Sequence, residues 1–301
     1  MPTSSVRVTV EDHELTLSNL DKVLFPEVGF TKGQLIDYYV QIAPVLLPHL
    51  HDRPLTLKRY PNGVDEAWFF EKHAPSHLPA WSKTVRVPSS GGGGAVDFVV
   101  VGDLPSLVWA ANLATIEFHV PLWRVGRRRK LPGPPDCMVF DLDPGEGTTI
   151  AECCEVAVLL KAVLDDRGAS VFAKTSGSKG LQLYSPLEGP VRWERLKTDV
   201  HAIALSMEHD HPALVVSKMA KALRPGKVLI DWSQNTPSKT TVAAYSVRGM
   251  AEPTVSTPVT WKEVRRCASS GDAAALRFTT DHVLKRVKRS GDLFKGTLGD
   301  G

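Results

Sequence analysis

The run Met138 to Gly147 is an apolar strand that carries Asp141 and Asp143 and stops at Pro144-Gly145. Strand side chains alternate between faces, so the two carboxylates point the same way. Side by side they repel each other unless a cation sits between them. Magnesium is held through one or two carboxylates together with substrate phosphates. The pair therefore predicts metal-dependent phosphoryl or nucleotidyl transfer. A second apolar strand, residues 228–232, contains Asp231. A charge in such a strand is costly unless it is paired or metal-bound. Alone, Asp231 reads as a strand-end aspartate bonded to its own turn. Beside Asp141 and Asp143 it reads as a third ligand, and three carboxylates can hold two metal ions.

Other residues suit phosphates and nucleic acid, each with a structural alternative. The segment Thr175-Ser176-Gly177-Ser178-Lys179-Gly180 lies between two strands. Its glycines, hydroxyls and Lys179 can cradle phosphate oxygens, although its spacing is not that of a P-loop and an ordinary hairpin turn fits equally. His119 can donate to a phosphate or serve the core. Arg248 can reach a triphosphate or remain on the surface. Lys22, Lys32, Lys58 and Arg59 are basic positions near turns. Phe69-Phe70 is either core or a stacking platform for a base. Residues 217–227 place Lys218, Lys221, Arg224 and Lys227 between apolar runs, a basic loop suited to a phosphodiester backbone.

Helices and strands must position these groups. Thr31 opens a helix with Leu35, Ile36, Tyr39, Ile42, Ala43, Leu46 and Leu47 at helical spacing, which Pro48 is expected to end. Strands are expected at 55–60, 97–101, 171–174, 181–185, 228–232 and 240–245, with helices at 106–117 and 192–207. Thr149 and Glu152 form a capping-box pattern for a further helix, with Gly168 suited to its C-terminal cap. Residues 89–94 read as a Gly/Ser loop, and 254–258 as a linker to a helical C-terminal segment. The pattern predicts an α+β fold with a mixed, largely antiparallel sheet flanked by helices.

The chain has 301 residues, 43% hydrophobic and 23% charged, with a formal net charge of +3. This suits a globular protein with a sizeable core and only a mild tilt toward anionic partners. Arg124, Arg127, Arg128, Arg129 and Lys130 form a basic cluster open to a polyanion, whereas Lys285, Arg286, Lys288 and Arg289 read as solvated surface. Cys137, Cys153, Cys154 and Cys267 match no zinc spacing and are expected to be reduced and mostly buried. No signal peptide or membrane span is evident, so a cytoplasmic location and no membrane partner are expected.

Together these segments resemble the polymerase domain of bacterial DNA ligase D, in the archaeo-eukaryotic primase superfamily. The likeness is collinear over nearly the whole chain. It rests on the runs 19–26, 58–63, 69–72, 117–119, 140–147, 176–181, 223–227, 230–235 and 244–249. It implies a primase-superfamily catalytic core in one domain spanning 1–301. Residues 1–130 would contact DNA and nucleotide, 131–250 would form the catalytic core, and 251–301 a helical segment. Template-directed or terminal nucleotidyl transfer in end-joining repair, often favouring ribonucleotides, is the implied activity. Asp141, Asp143 and Asp231 would bind two Mg2+ or Mn2+ ions. Lys58, His119, Ser176, Lys179, Gln182, Gln234 and Arg248 would serve the nucleotide. Asn19, Lys22, Lys32, Arg59, Phe69, Phe70, Lys221 and Arg224 would serve the DNA, with Lys22 and Lys32 at a 5′-phosphate. Gapped, overhang or primer-template DNA and NTP or dNTP are the implied partners, with a Ku-type end-binding protein and a separate ligase. The chain lacks ligase and nuclease regions, and either a stand-alone member or an excised domain is expected. Superfamily members usually carry histidine where this chain has Gln182, which implies a weaker hold on the triphosphate.

Two other readings compete. Asp-Leu-Asp before a glycine superficially matches the nucleophile strand of haloacid-dehalogenase-type phosphatases, but there the motif opens a parallel sheet near the N-terminus. A catalytically inactive DNA-end-binding module would have little use for three carboxylates near a phosphate backbone.

Overall fold

Alternation along residues 137–144 buries Phe140 and Leu142 and leaves Asp141 and Asp143 on the opposite face, which makes this strand the centre of a sheet. The structure is a computed structural model that describes residues 5–89, 92–126 and 131–299. Arg127, Arg128, Arg129 and Lys130 lie outside the described residues, as do Ser90 and Gly91 of the Gly/Ser loop.

In chain order the strands begin with β1 (Ser5–Val10), β2 (His13–Ser18), β3 (Val23–Phe25) and β4 (Phe30–Thr31). Helix α1 (Lys32–Leu50), β5 (Thr56–Arg59), β6 (Phe69–Glu71), β7 (Lys83–Pro88) and β8 (Ala95–Val100) follow. Then come α2 (Leu104–Asn112), β9 (Thr115–Val120), β10 (Cys137–Pro144), α3 (Ile150–Asp165), β11 (Phe172–Thr175), β12 (Leu181–Pro186) and α4 (Trp193–Asp210). The chain continues with β13 (Val215–Val216), β14 (Val228–Asp231), β15 (Thr241–Val242), β16 (Pro258–Val259), α5 (Trp261–Ser270) and α6 (Thr280–Ser290). These elements form two compact units. The first comprises residues 1–133, 240–255 and 279–291, and the second 134–239, 256–278 and 292–301.

The second unit is built on a six-stranded sheet in the order β13-β14-β10-β12-β11-β16. Every pair is antiparallel except β13 with β14. One face is covered by α3, α4 and α5, whose Val156, Leu160, Val200, Ile203 and Val264 pack on Phe140, Leu142, Leu183 and Ile230. Helix α3 starts with the expected Thr149–Glu152 capping box. All four cysteines are free and buried. The first unit carries a four-stranded sheet, β15-β9-β5-β6, with α1 and α2 against it. No helix among the described residues is long and apolar enough to cross a membrane.

Four local expectations differ from the structure. Helix α1 runs through Pro44 and Pro48 to Leu50. A proline inside a helix forfeits one hydrogen bond. Here the buried Leu46 and Leu50 hold the last turn, and Arg124 donates to the carbonyls of Pro48 and His51. The helix expected at 106–117 stops at Asn112, because Thr115, Ile116, Phe118 and Val120 favour a strand and pair with β5. Residues 256–259 are not a linker. Thr175 N donates to Thr257 O at 2.8 Å, Ser256 Oγ donates to Thr175 O at 2.9 Å, and β16 closes the sheet edge. Arg286 is buried rather than solvated, one helical turn after Val283 on the inner face of α6.

Candidate active site

In the second unit, register places one polar row across four strands. Asp231 on β14 lies directly opposite Asp141 on β10, Asp141 opposite Gln182 on β12, and Gln182 opposite Lys174 on β11. Directly opposed residues share a face, so this row is a consequence of pairing rather than of loop conformation. Gln182 Nε2 donates to Asp141 Oδ1 at 3.0 Å, and Lys174 Nζ donates to Gln182 Oε1. Lys174, only 1% exposed, also donates to Ser256 Oγ at 2.7 Å. Asp143 follows two residues along the same face as Asp141. Burial and the neighbouring charges of Asp143 and Asp231 push the Asp141 carboxyl up to about 7, against the hydrogen bond from Gln182.

Asp231 is held by the turn that follows it. Its Oδ1 accepts from Ser233 N at 2.8 Å and Ser233 Oγ at 2.6 Å, and its Oδ2 accepts from Gln234 Nε2 at 3.0 Å. Among the described residues no three His, Cys, Asp or Glu side chains close into a metal cage. The row still fits a hard divalent cation. Aligned carboxylates, with Asp141 raised by its acidic neighbours, are an all-oxygen donor set short of positive charge, and magnesium completes its shell with substrate phosphates rather than with an all-protein cage.

The turn after β11 folds back onto this row. Ser176 Oγ accepts from Ser178 N at 3.2 Å and Gly180 N at 3.0 Å, which leaves Lys179 exposed at the tip. Gly180 allows the close approach, since a Cβ there would lie 2.3 Å from Leu142 O. The basic loop joins the end of β10, with Gly145 N donating to Lys227 O at 2.8 Å and Gly226 N to Glu146 O at 2.7 Å. Lys221 is exposed, and Arg224 donates to Met219 O.

The first unit holds a second cluster, centred on Glu117, which sequence reasoning did not single out. Glu117 is 1% exposed. Its Oε1 lies 3.1 Å from Lys58 Nζ and accepts from Tyr60 Oη at 3.0 Å and Gly249 N at 3.1 Å. Its Oε2 lies 2.9 Å from His119 Nε2 and 3.2 Å from Arg248 Nε. Burial alone would raise the Glu117 carboxyl, but the His119 hydrogen bond and the charges of Arg248, His119 and Lys58 hold it well below the usual carboxylate range. Burial lowers the His119 pKa, opposed by Glu117 and reinforced by Arg248 and Lys58. The available signal was a glutamate inside an apolar strand, two residues before His119 and therefore on its face.

The β5–β6 pair presents two aromatic surfaces. Phe69 is 43% exposed and Phe70 48%, so neither belongs to the core. Lys58 pairs in register with Phe70, and its Nζ lies 4.0 Å over the Trp68 ring. Arg59 pairs with Phe69, donates from Nη1 to both Glu71 oxygens at 3.0 and 3.1 Å, and lies 5.3 Å from the Phe69 ring centroid. Near the start of α1, Lys32 Nζ donates to Ser18 O at 2.6 Å. Burial, with the charges of Lys22 and Arg59, lowers the Lys32 pKa to about 8. Lys22 Nζ donates to Asn62 Oδ1 at 2.8 Å, and Lys22 N to Asn19 O at 3.0 Å.

A family model described as "LigD, primase-polymerase domain" matches residues 31–294. The multifunctional non-homologous end joining protein LigD of Mycobacterium bovis is 43% identical over 291 residues, covering 95% of this chain and 37% of that protein. The bifunctional non-homologous end joining protein LigD of Bacillus subtilis is 32% identical over 279 residues, covering 92% of this chain and 43% of that protein. The chain thus spans less than half the length of these curated relatives. A solved structure, the polymerase domain of Mycobacterium tuberculosis ligase D in complex with DNA, matches with a TM-score of 0.89 and 43% identity, covering 95% of this chain and 99% of that one. The α+β architecture agrees with that neighbour. The phosphatase reading fails, because β10 is a mid-chain strand antiparallel to both neighbours.

Proposed function

This chain belongs to the LigD primase-polymerase domain family, a family of nucleotidyltransferases, and from that premise we propose that it extends DNA ends or fills short gaps in end-joining repair. Ribonucleotides are the favoured substrates in this reading, as the resemblance implies. The observation that supports it best is the alignment of Asp231 with Asp141, two residues from Asp143, on the face of the six-stranded sheet away from the helices.

Asp141, Asp143 and Asp231 are the residues that would hold two divalent ions, magnesium or manganese. When bound, such ions supply Lewis-acid activation of the primer 3′-hydroxyl and neutralise charge on the triphosphate. The 3′-oxygen forms a bond to the α-phosphorus, and the bond to pyrophosphate breaks. In the second unit, Ser176 shapes the phosphate turn, Lys179 offers a mobile point charge, and Gln234 orients Asp231. Gln182 serves the site by holding Asp141. Lys221 and Arg224 face the DNA backbone. In the first unit, Lys58, His119 and Arg248 bind phosphate oxygens. Lys22 and Lys32, with Asn19 shaping the turn before them, receive a 5′-phosphate. Phe69 and Phe70 stack on bases, and Arg59 supports Phe69. We assign the whole chain, 1–301, to one primase-polymerase function. It would act in the cytoplasm, with a Ku-type end-binding protein and a ligase activity as partners.

Extension of a gapped, 5′-phosphorylated duplex with NTP or dNTP and Mg2+ or Mn2+ tests this reading. Wild type should add nucleotides and Asp141→Ala should not. Normal extension by Asp141→Ala would sink the metal-site assignment. Release of phosphate without extension, or DNA binding with neither, would replace the function.

A further inference from the structure

We infer that Glu117 is a positioning residue for phosphate recognition: one buried carboxylate gathers Lys58, His119 and Arg248 into a single cationic surface. This rests on the assignment above of those three side chains to the triphosphate.

The arrangement is built in by pairing. Alternation along β9 puts Glu117 and His119 on one face, and Lys58 on β5 lies directly opposite Glu117. Arg248 comes from a separate segment that is fastened to the same strand. Ser246 Oγ accepts from Phe118 N at 2.9 Å, and Gly249 N donates to Glu117 Oε1 at 3.1 Å. Position 249 admits no side chain, since a Cβ would lie 2.2 Å from the Tyr60 ring. Tyr245, at φ 68°, takes the left-handed conformation in the turn leading to Arg248. Such strain persists only where the surroundings enforce it.

The electrostatics explain why a carboxylate belongs here. Lys58 and Arg248 would repel each other, and with His119, whose charged form burial disfavours, would swing toward water. Glu117 sits within 3.2 Å of a nitrogen on each of them and stays behind them, away from solvent. An ionised carboxylate only accepts hydrogen bonds, so it would repel a phosphate that it touched. Buried behind donors, it orients them without meeting the substrate. Its contact with His119 Nε2 leaves Nδ1 as the other ring nitrogen, which donates to an anion only when the ring carries both protons.

The test compares wild type, Glu117→Gln and Glu117→Asp. Metal-free binding of inorganic tripolyphosphate is measured by calorimetry, and KM and kcat for nucleotide in gap filling are measured separately. Glutamine preserves shape and removes the charge. It should weaken tripolyphosphate binding by roughly tenfold or more and raise KM in step, with kcat changed less than about threefold. Aspartate keeps the charge but loses reach, and should fall between. Unchanged or tighter tripolyphosphate binding by folded Glu117→Gln overturns the inference, as does a loss confined to kcat. If glutamine prevents folding, the aspartate variant decides by the same measures, and failure of both to fold assigns Glu117 to stability and overturns the inference. A wild type that binds tripolyphosphate with this Glu117 dependence but extends no primer overturns the proposed function and leaves the role of Glu117 standing.

Discussion

Replacing Asp141 with asparagine should stabilise the metal-free protein while abolishing its response to metal. Burial and the charges of Asp143 and Asp231 move the Asp141 carboxyl from its ordinary 3.8 to about 7. The folded pKa therefore exceeds the unfolded one. The resulting cost is absent below pH 3.8, grows as pH rises through the window, and is complete above pH 7 or so. At ~1.4 kcal/mol per pH unit the full cost is on the order of 4 kcal/mol. Asparagine removes this ionisation, and its Oδ1 can still accept from Gln182. Two charged neighbours remain, so about half, ~2 kcal/mol, should be recovered. At ~2.1 cal/mol/K per residue, in a chain of 301 residues that corresponds to a melting temperature higher by ~3 °C in EDTA at pH 8. The gain should vanish near pH 4, where wild-type Asp141 is protonated. Manganese should raise the melting temperature of wild type and not of the variant. An Asp141→Asn protein no more stable than wild type in EDTA refutes the repulsion argument. A manganese shift that survives the substitution refutes the ligand assignment.

Three further outcomes follow from the same geometry. Glutamine offers an amide NH2 and a carbonyl oxygen, and neutral histidine one donor and one acceptor nitrogen, so Gln182→His should bridge Lys174 and Asp141 and keep the nucleotide KM within about twofold. Gln182→Leu, which takes one acceptor from a buried ammonium that keeps Ser256, should lose ~1–3 kcal/mol of stability in urea denaturation; equal stability of the leucine variant would contradict the bridge. Lys32 ionises with a pKa lowered to about 8, so the preference for a 5′-phosphate over a 5′-hydroxyl end, measured by fluorescence anisotropy, should shrink as pH rises from 7 to 9 or so. Because its folded pKa lies below the unfolded 10.5, the same group's contribution to stability improves across that interval as pH rises. Phe70→Ala should weaken nucleotide or template stacking by ~1–3 kcal/mol, read by 2-aminopurine quenching, whereas Phe69→Ala should mainly weaken 5′-phosphate-end binding; identical effects of the two would deny that they face different ligands.

The carboxylates were legible because strand alternation is local. Asp-Leu-Asp in an apolar run declares a common face without any knowledge of the partner strands. What Asp141 meets across the sheet was not legible. Lys174 carries no local signal, and only the register of three strands sets it and Gln182 in one row with Asp141. Position 182 was read as a triphosphate contact, yet its amide spans a buried ammonium and a carboxylate. Glu117 was hidden for a similar reason: Lys58, His119 and Arg248 are far apart in sequence, and nothing local shows that they share a counter-ion. The linker expected at 254–258 failed because threonine and proline mark both loops and sheet edges, and hydrogen bonds to Thr175 decide between them. Phe69 and Phe70 looked like core because hydrophobicity says nothing about whether a β-hairpin surface is covered.

The β5–β6 hairpin turns that alternation into a division of labour. Lys58 and Arg59 are adjacent, so their side chains leave opposite faces of the ribbon, and the register gives each its own ring, Phe70 and Phe69. On one face Lys58 joins Glu117, and Phe70 lies edge-on to His119 with ring centroids 5.5 Å apart. On the other, Arg59 is clamped by Glu71, and its charge reaches Lys32. A cluster suited to a triphosphate and a cluster suited to a 5′-phosphate thus lie on opposite sides of two short strands, each with an exposed aromatic ring. A one-residue slip between β5 and β6 would set either Lys58 opposite Phe69 or Arg59 opposite Phe70, never both, and break the present pairing. Arg59 Nη1, bonded to both Glu71 oxygens, resists that slip, and the Lys58–Glu117 pair holds β5 in register with β9. The ion pairs assigned to recognition in the proposed function therefore also fix the register of the strands that carry them.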